Sequence, residues 1–104
     1  MENITDKNPR GPVGLTPLHV AARQGFFNIC KLIFNYVDEK NPLSDLGSTP
    51  LHYAAQGGYL NVCQLIMANI DDIAHKNLMG TTPMDLAMKS NHIYVIQLFR
   101  LAAI

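Results

Sequence analysis

The fold is decided by the stretch Gly14-Leu15-Thr16-Pro17-Leu18-His19-Val20-Ala21-Ala22, because the chain repeats it. It returns 33 residues later as Gly47-Ser48-Thr49-Pro50-Leu51-His52-Tyr53-Ala54-Ala55. After a further 33 residues it returns more loosely as Gly80-Thr81-Thr82-Pro83-Met84-Asp85-Leu86-Ala87-Met88. A fixed period with matching glycine and proline positions is far more specific than a single motif, and it indicates a stack of repeated units.

Each copy of this stretch predicts a short helix with clear start and stop signals. Thr16 and Thr49 are good N-cap residues, and each is followed by a proline at the first helical position, where the missing N–H costs nothing. Gly25 and Gly58 are placed to end the helix in the left-handed conformation. We therefore predict first helices over 17–24 and 50–56, and second helices over 27–36, 60–69 and 93–103.

The second helix of each unit carries an apolar stripe that is too wide for one partner helix. In the first unit the stripe consists of Phe27, Ile29, Cys30, Leu32 and Ile33. A single helix pair cannot bury such a stripe, whereas stacking one pair on the next can. The pattern therefore predicts a solenoid of stacked helix pairs.

The 33-residue period and the Thr-Pro-Leu-His-x-Ala-Ala signature resemble the ankyrin repeat family from residue 14 to the C-terminus. The resemblance implies an all-α ankyrin-repeat solenoid of helix-turn-helix pairs. We divide the chain into repeats at 14–46 and 47–79 and a truncated repeat at 80–104. Lys7-Asn8-Pro9 matches Lys40-Asn41-Pro42 at the same offset, so residues 1–13 are interpreted as the tail of a preceding repeat or loop.

Two departures from the pattern bear on the first helix of the third repeat. Asp85 replaces the histidine and suits the first helical turn after Thr82, as in a capping box, but it cannot donate a hydrogen bond to a neighbouring loop. Asn91 replaces the glycine that ends the first helix, and asparagine tolerates the left-handed conformation second best.

Neither end of the chain shows the polar outer face that a terminal repeat needs. We therefore expect a piece of a longer array, monomeric but able to self-associate end to end. The first repeat is expected to expose parts of Leu18, Ala22 and Ile29, and the last helix parts of Ile96, Phe99 and Leu101.

Composition excludes several classes of protein. Eight basic and eight acidic residues give a formal net charge of zero, so the positive surface of a nucleic-acid binder is missing. No run of apolar residues is long enough to insert into a membrane, and the N-terminus has no signal-peptide pattern. Two cysteines do not make a disulfide framework, which predicts an intracellular protein, cytoplasmic or nuclear.

Three pairs of residues resemble reactive sites but have simpler explanations. His19 and His52 recur once per repeat without clustered ligands, so backbone-bonding roles are favoured over a metal site. Cys30 and Cys63 are expected about 8–10 Å apart, too far for a disulfide, and are interpreted as buried thiols. Asp71-Asp72 has no specified acid–base partner and is interpreted as solvated. No catalytic, cofactor or metal site is predicted.

The family's loop asparagine is hydroxylated in some members, and the resemblance places Asn41 and Asn8 close to it. Lys40 and Lys7 replace its usual apolar neighbour, which disfavours hydroxylation, so the resemblance leaves the modification of Asn41 open.

The resemblance implies that partners dock on the concave side, on loop tips and on the exposed ends of the first helices. Apolar residues at the tips support this, because an exposed apolar row marks contact sites. An alternative is that Val13, Leu46 and Met79 pack on neighbouring loops as staples. The candidate contact residues are Val13, Leu15, Arg23, Gln24, Asp45, Leu46, Ser48, Gln56, Leu78, Met79, Thr81 and Lys89. The residues given structural roles are Thr16, His19, Thr49, His52 and Thr82.

The sequence thus predicts a protein-interaction module rather than an enzyme, since no nucleophile elbow, phosphate loop or zinc-ligand spacing occurs. The alternative is a regulatory ankyrin segment of a larger enzyme or channel, in which the binding is intramolecular. The identity of the partner does not follow from the fold.

Overall fold

Residues 10–104 are described by a computed structural model and form three stacked helix pairs after a short 3-10 turn at Pro12–Gly14. Within residues 10–104 there is no strand, and the prediction of an all-α stack is confirmed. The helices are α1 (Pro17–Gln24), α2 (Phe27–Tyr36), α3 (Pro50–Gly57), α4 (Leu60–Met67), α5 (Pro83–Lys89) and α6 (Ile93–Ala102). The predicted bounds of α1 and α2 are met, while α4 ends two residues earlier than predicted.

Capping explains where the first helices start. The side chains of Thr16, Thr49 and Thr82 each accept a hydrogen bond from the backbone N–H three residues on. The side chain of that third residue in turn accepts a hydrogen bond from the backbone N–H of the threonine. In the third repeat the reciprocal partner is Asp85, whose Oδ2 accepts from the Thr82 N–H at 2.9 Å. The predicted replacement of histidine by a capping-box acid is therefore confirmed.

Three similar turns precede the first helices, at residues 11–14, 44–47 and 77–80. In each, the first N–H donates to the carbonyl four residues on, as from Ser44 to Ser48 at 2.8 Å. Neighbouring turns are also joined, because the Asp45 N–H donates to Val13 O at 3.0 Å and the Leu78 N–H to Leu46 O at 2.9 Å. The three turn tips are thereby held in one row.

The helices form two layers with the core between them. The first helices α1, α3 and α5 pack on one another more closely than the second helices do. The core is apolar and continuous across all three repeats. Each large side chain in it contributes roughly 1.5–3 kcal/mol through burial. Its fully buried members include Leu18, Leu51, Cys30, Cys63, Val62 and Ile66.

The expectation about exposed ends is only partly correct. Ile29 and Leu101 are exposed and Ile96 is half-buried, but Leu18 and Ala22 are fully buried and Phe99 is buried. Leu18 and Ala22 pack in the core shared with the second repeat rather than at the open end of the first, and Phe99 likewise packs in that common core.

The predicted N-terminal tail at residues 1–13 falls mostly outside this description. Residues 1–9, which include Asn8, lie outside the described residues. Residues 10–13 lead into the first turn, and the Arg10 guanidinium donates to the carbonyl oxygens of Gly14 and Leu43.

Candidate partner-binding surface

Two buried histidines, one in each of the first two repeats, each bind the backbone of the turn that begins the next repeat. The Nε2 atom of His19 lies 2.9 Å from Ser48 O, and that of His52 lies 2.8 Å from Thr81 O. The Nδ1 atoms accept the N–H of Thr16 at 3.1 Å and of Thr49 at 3.0 Å. A donating Nε2 and an accepting Nδ1 together assign the neutral imidazole with its proton on Nε2.

Burial lowers the pKa of both His19 and His52, while the hydrogen bonds to the Ser48 and Thr81 carbonyls act in the opposite direction. The neutral form is therefore the one that the fold holds. The backbone bonds predicted for both histidines are confirmed. No group of His, Cys, Asp or Glu that could hold a metal ion occurs among residues 10–104.

The tips of the turns present apolar side chains to solvent. Val13, Leu46 and Met79 occupy the same position in successive repeats, and Leu78 lies beside Met79. These four side chains are between 53% and 77% exposed. Such exposure disfavours the alternative that they act as staples between loops, because a staple buries most of its surface. We call these four residues the tip row.

A family model described as ankyrin repeats, in three copies, matches residues 2–77 and again residues 36–101. The chain belongs to the ankyrin repeat family. A search of curated proteins returned no match to it. Ankyrin repeats are in general protein-interaction modules, and the family is typically non-catalytic. Over residues 10–104, no helix is both long enough and apolar enough to cross a membrane.

Two of the predicted contact residues are not accessible in this ankyrin stack. Leu15 and Ser48 are only 8% and 9% exposed, so the prediction that they offer a contact surface is wrong for the side chains. Both stand directly after a turn, where the carbonyl closes the turn and the side chain points inward. The Ser48 hydroxyl accepts a hydrogen bond from Asn77 Nδ2 at 3.2 Å, inside the stack. Thr81, at the same repeat position, is half-buried.

The polar candidates are exposed. Arg23, Gln56 and Lys89 share one repeat position near the end of each first helix, and Gln24 follows Arg23. This polar row lies at the end of the first helices that is opposite to the turns carrying the tip row. Asp45, which precedes Leu46 of the tip row, is also exposed.

A second contact between ankyrin repeats, which the sequence motifs did not predict, is made by aromatic rings on the helix-ending glycines. The Tyr59 ring packs so closely on Gly25 that a Cβ added to this glycine would lie 2.7 Å from the ring. The His92 ring packs on Gly58 in the same way, and a Cβ there would lie 2.5 Å from it. The Nε2 atom of His92 also lies 2.9 Å from Gln56 O. His92 is half-buried between repeats. A signal was present, since residues 26, 59 and 92 are Phe, Tyr and His at one repeat position.

The two cysteines are free and buried, as predicted. Burial raises the pKa of Cys30 to about 11 and that of Cys63 to about 12. Thiols with these pKa values are poor nucleophiles at neutral pH, which agrees with a packing role.

The remaining polar features lie in the loops that follow α2 and α4. Asp71 and Asp72 are exposed, and Asp72 Oδ2 lies 3.5 Å from Nδ1 of the half-buried His75. The Asn41 N–H donates to Glu39 Oε1 at 2.8 Å, and the Asn41 side-chain oxygen is buried without a partner among the described residues. Hydroxylation of Asn41 stays a prediction.

Proposed function

We propose that this ankyrin stack binds a protein partner through the tip row and the polar row of first-helix ends. The observation that carries the proposal is the combination of exposure and rigidity at the tips. Apolar side chains stand at one repeated position in three turns, and the inter-turn hydrogen bonds from Asp45 and Leu78 hold those turns in register. A partner would therefore meet a surface that is already ordered, which reduces the entropy lost on binding.

The two rows suggest what the partner offers. Leu46, Leu78 and Met79 suit apolar side chains, whose contact would remove apolar surface from water. Arg23 and Lys89 are exposed cations at the far end of the first helices, and they suit acidic groups on the partner. We further propose that the chain works as a piece of a longer ankyrin array.

The test replaces the tip row without touching the core. A partner would be isolated by affinity purification, expressed, and titrated calorimetrically against the original chain and the double variant Leu46→Asp with Met79→Asp. We expect the double variant to lose at least tenfold in affinity, which corresponds to about 1.4 kcal/mol. Its circular dichroism and melting temperature should stay unchanged, because both side chains are exposed.

The matched control is Tyr94→Asp with Leu101→Asp, which places the same charge on exposed apolar positions of α6. This variant should bind within about twofold of the original chain. Equal affinity for all three proteins would show that the partner docks elsewhere. Loss of folding in the tip variant would show that Leu46 and Met79 are structural after all.

A further inference from the structure

The tip row recurs along the stack at a spacing that backbone hydrogen bonds fix. The Asp45 N–H donates to Val13 O at 3.0 Å, and the Leu78 N–H donates to Leu46 O at 2.9 Å. Standard bond lengths on either side of these bonds keep the Cα atoms of equivalent tip residues, such as Leu46 and Met79, within about 10 Å of each other. Packed helices also lie about 8–10 Å apart. A partner that contacts all three repeats must therefore offer one side chain about every 8–10 Å.

This spacing selects the backbone conformation of the partner. A polyproline II helix rises about 3.1 Å per residue with three residues per turn, so every third side chain faces the same way at intervals of about 9.3 Å. In a β-strand, side chains on one face recur about every 6.7 Å, which is too short. In an α-helix the same stripe is regained after seven residues, or about 10.5 Å, which exceeds the limit set by the bonds between turns. The polyproline II helix fits the tip row best.

An aromatic ring stands between the tip row and the polar row. Tyr53 lies in the middle of α3, three residues before Gln56 and on the same side of that helix. Its ring is half-buried and meets the buried His19 imidazole edge-on, with the ring centroids 5.8 Å apart. Leu86 is half-buried at the equivalent position of α5. Aromatic-lined surfaces suit proline-rich segments, because such segments are ordered before they bind and lose little entropy.

The polar row offers hydrogen-bond donors and positive charge. Arg23, Gln56 and Lys89 are exposed and each carries side-chain N–H groups. Within residues 10–104 neither Arg23 nor Lys89 forms an ion pair. A polyproline II helix makes no internal hydrogen bonds, so its carbonyl oxygens are free to accept from these donors. The two cations lie two repeats apart, about 16–20 Å, and six residues of polyproline II span about 18.6 Å.

We infer, on the basis of the proposed function, that this surface takes a proline-rich, acidic segment of the partner in the polyproline II conformation. The segment carries an apolar residue at every third position for the tip row. On one adjoining flank it carries acidic residues six positions apart for Arg23 and Lys89. Reversing the direction of the segment exchanges its two flanks, so either flank can face the polar row. Prolines at the remaining positions hold the conformation before binding.

The test titrates two synthetic peptides of identical composition against the full chain. In the matched peptide, Pro-Pro-Leu-Glu-Pro-Leu-Pro-Pro-Leu-Glu-Pro-Pro, leucine recurs at every third residue and the glutamates are six apart. In the shifted peptide, Pro-Leu-Glu-Pro-Pro-Leu-Pro-Pro-Pro-Leu-Glu-Pro, leucine recurs at every fourth residue, so the three leucines face three directions. We expect the matched peptide to bind at least tenfold more tightly and to shift the NMR signals of the tip row and of the Gln56 side-chain amide. Equal affinities, or no binding of either peptide at millimolar concentration, would overturn the inference.

A charge reversal tests the acidic flank. Arg23→Glu with Lys89→Glu should weaken binding of the matched peptide at least fivefold, and a matched peptide with lysine in place of glutamate should bind this variant more tightly than the original chain. The matched control is Lys31→Glu with Arg100→Glu, which makes the same change of charge at exposed positions on the second helices. The control should bind the matched peptide within about twofold of the original chain. Equal weakening in both variants would overturn the assignment of the acidic flank to the polar row.

Failure of this inference can be told apart from failure of the proposed function. An alanine-based helical peptide with leucine at every seventh residue represents the α-helix as the alternative occupant. If that peptide binds the original chain but not the Leu46→Asp, Met79→Asp variant, and the matched peptide does not bind, the polyproline II inference is overturned while the tip row remains a binding surface. If the purified partner binds this double variant as tightly as the original chain, the proposed function itself fails.

Discussion

The Nε2 atom of His52 lies 2.8 Å from the carbonyl oxygen of Thr81, 29 residues further along the chain. Its Nδ1 atom accepts the N–H of Thr49, the residue that caps its own helix. One buried side chain thus starts α3 and fixes the turn that precedes α5. His19 makes the same pair of contacts one repeat earlier, so each histidine fixes the position of the next repeat relative to its own.

Replacing this imidazole should cost measurable stability. We expect His52→Ala to lower the free energy of unfolding by about 1–3 kcal/mol, because it leaves the Thr49 N–H without its partner and removes a donor from Thr81 O. Urea titration followed by circular dichroism measures the loss. The control is His75→Ala, a half-buried histidine near Asp72, which should change stability by no more than about 0.5 kcal/mol. An unchanged urea midpoint for His52→Ala would contradict the structural role.

The same histidines should make stability depend on pH. Burial holds the pKa of His19 and His52 below the ordinary value of 6.5 in the folded state. Between the folded and unfolded pKa values the unfolded chain binds more protons, so stability rises with pH in that window. We expect full stability above pH 6.5 and a progressive loss as the pH falls below it.

The check on this pH dependence is the double variant His19→Gln with His52→Gln. Glutamine keeps an N–H donor for the carbonyl but does not titrate. Urea midpoints measured from about pH 7.5 down to about pH 5 should therefore vary less in the variant than in the original chain. If both proteins show the same pH profile, other groups are responsible for it.

The two thiols should be unreactive until the stack unfolds. With a pKa of about 11 for Cys30 and about 12 for Cys63, about one thiol in a thousand or fewer is ionised at pH 8. Burial also blocks access to both sulfurs. We expect a disulfide reagent to label neither cysteine quickly in the native protein and both cysteines rapidly in concentrated urea. Rapid labelling of one cysteine under native conditions would show that its helix pair opens locally.

Sequence predicted the parts of this fold that depend on near neighbours or on the period. The threonine caps and the Gly25 and Gly58 stops each act within a few residues, so their signals are legible in one repeat. The histidine bonds to the next repeat were predictable because the family resemblance places them at a constant spacing. The row of tips also followed from the period, since equivalent residues stand in equivalent turns.

The direction in which each side chain faces could not be read from the period. Leu15 was predicted to be a contact residue, yet it is buried, and Phe99 was expected at an open end, yet it packs in the core. A repeat identifies positions as equivalent without showing whether they face the previous pair, the next pair or solvent. That distinction depends on how the helix pairs pack, and comparison of burial between Ile29 and Val62 revealed it.

Two glycines in the left-handed conformation allow the cost of backbone strain to be measured apart from the cost of packing between repeats. Gly25 and Gly80 both have a φ of 77°, which disfavours any residue with a Cβ. A Cβ on Gly80 would meet nothing within 4 Å, whereas one on Gly25 would lie 2.7 Å from the Tyr59 ring of the next repeat. We expect Gly80→Ala to cost about 1–2 kcal/mol from the backbone alone. Gly25→Ala should cost about 1–3 kcal/mol more, because the Tyr59 ring must move. Urea unfolding of both variants measures the difference, and equal losses would show that Tyr59 does not hold the repeats together at this point.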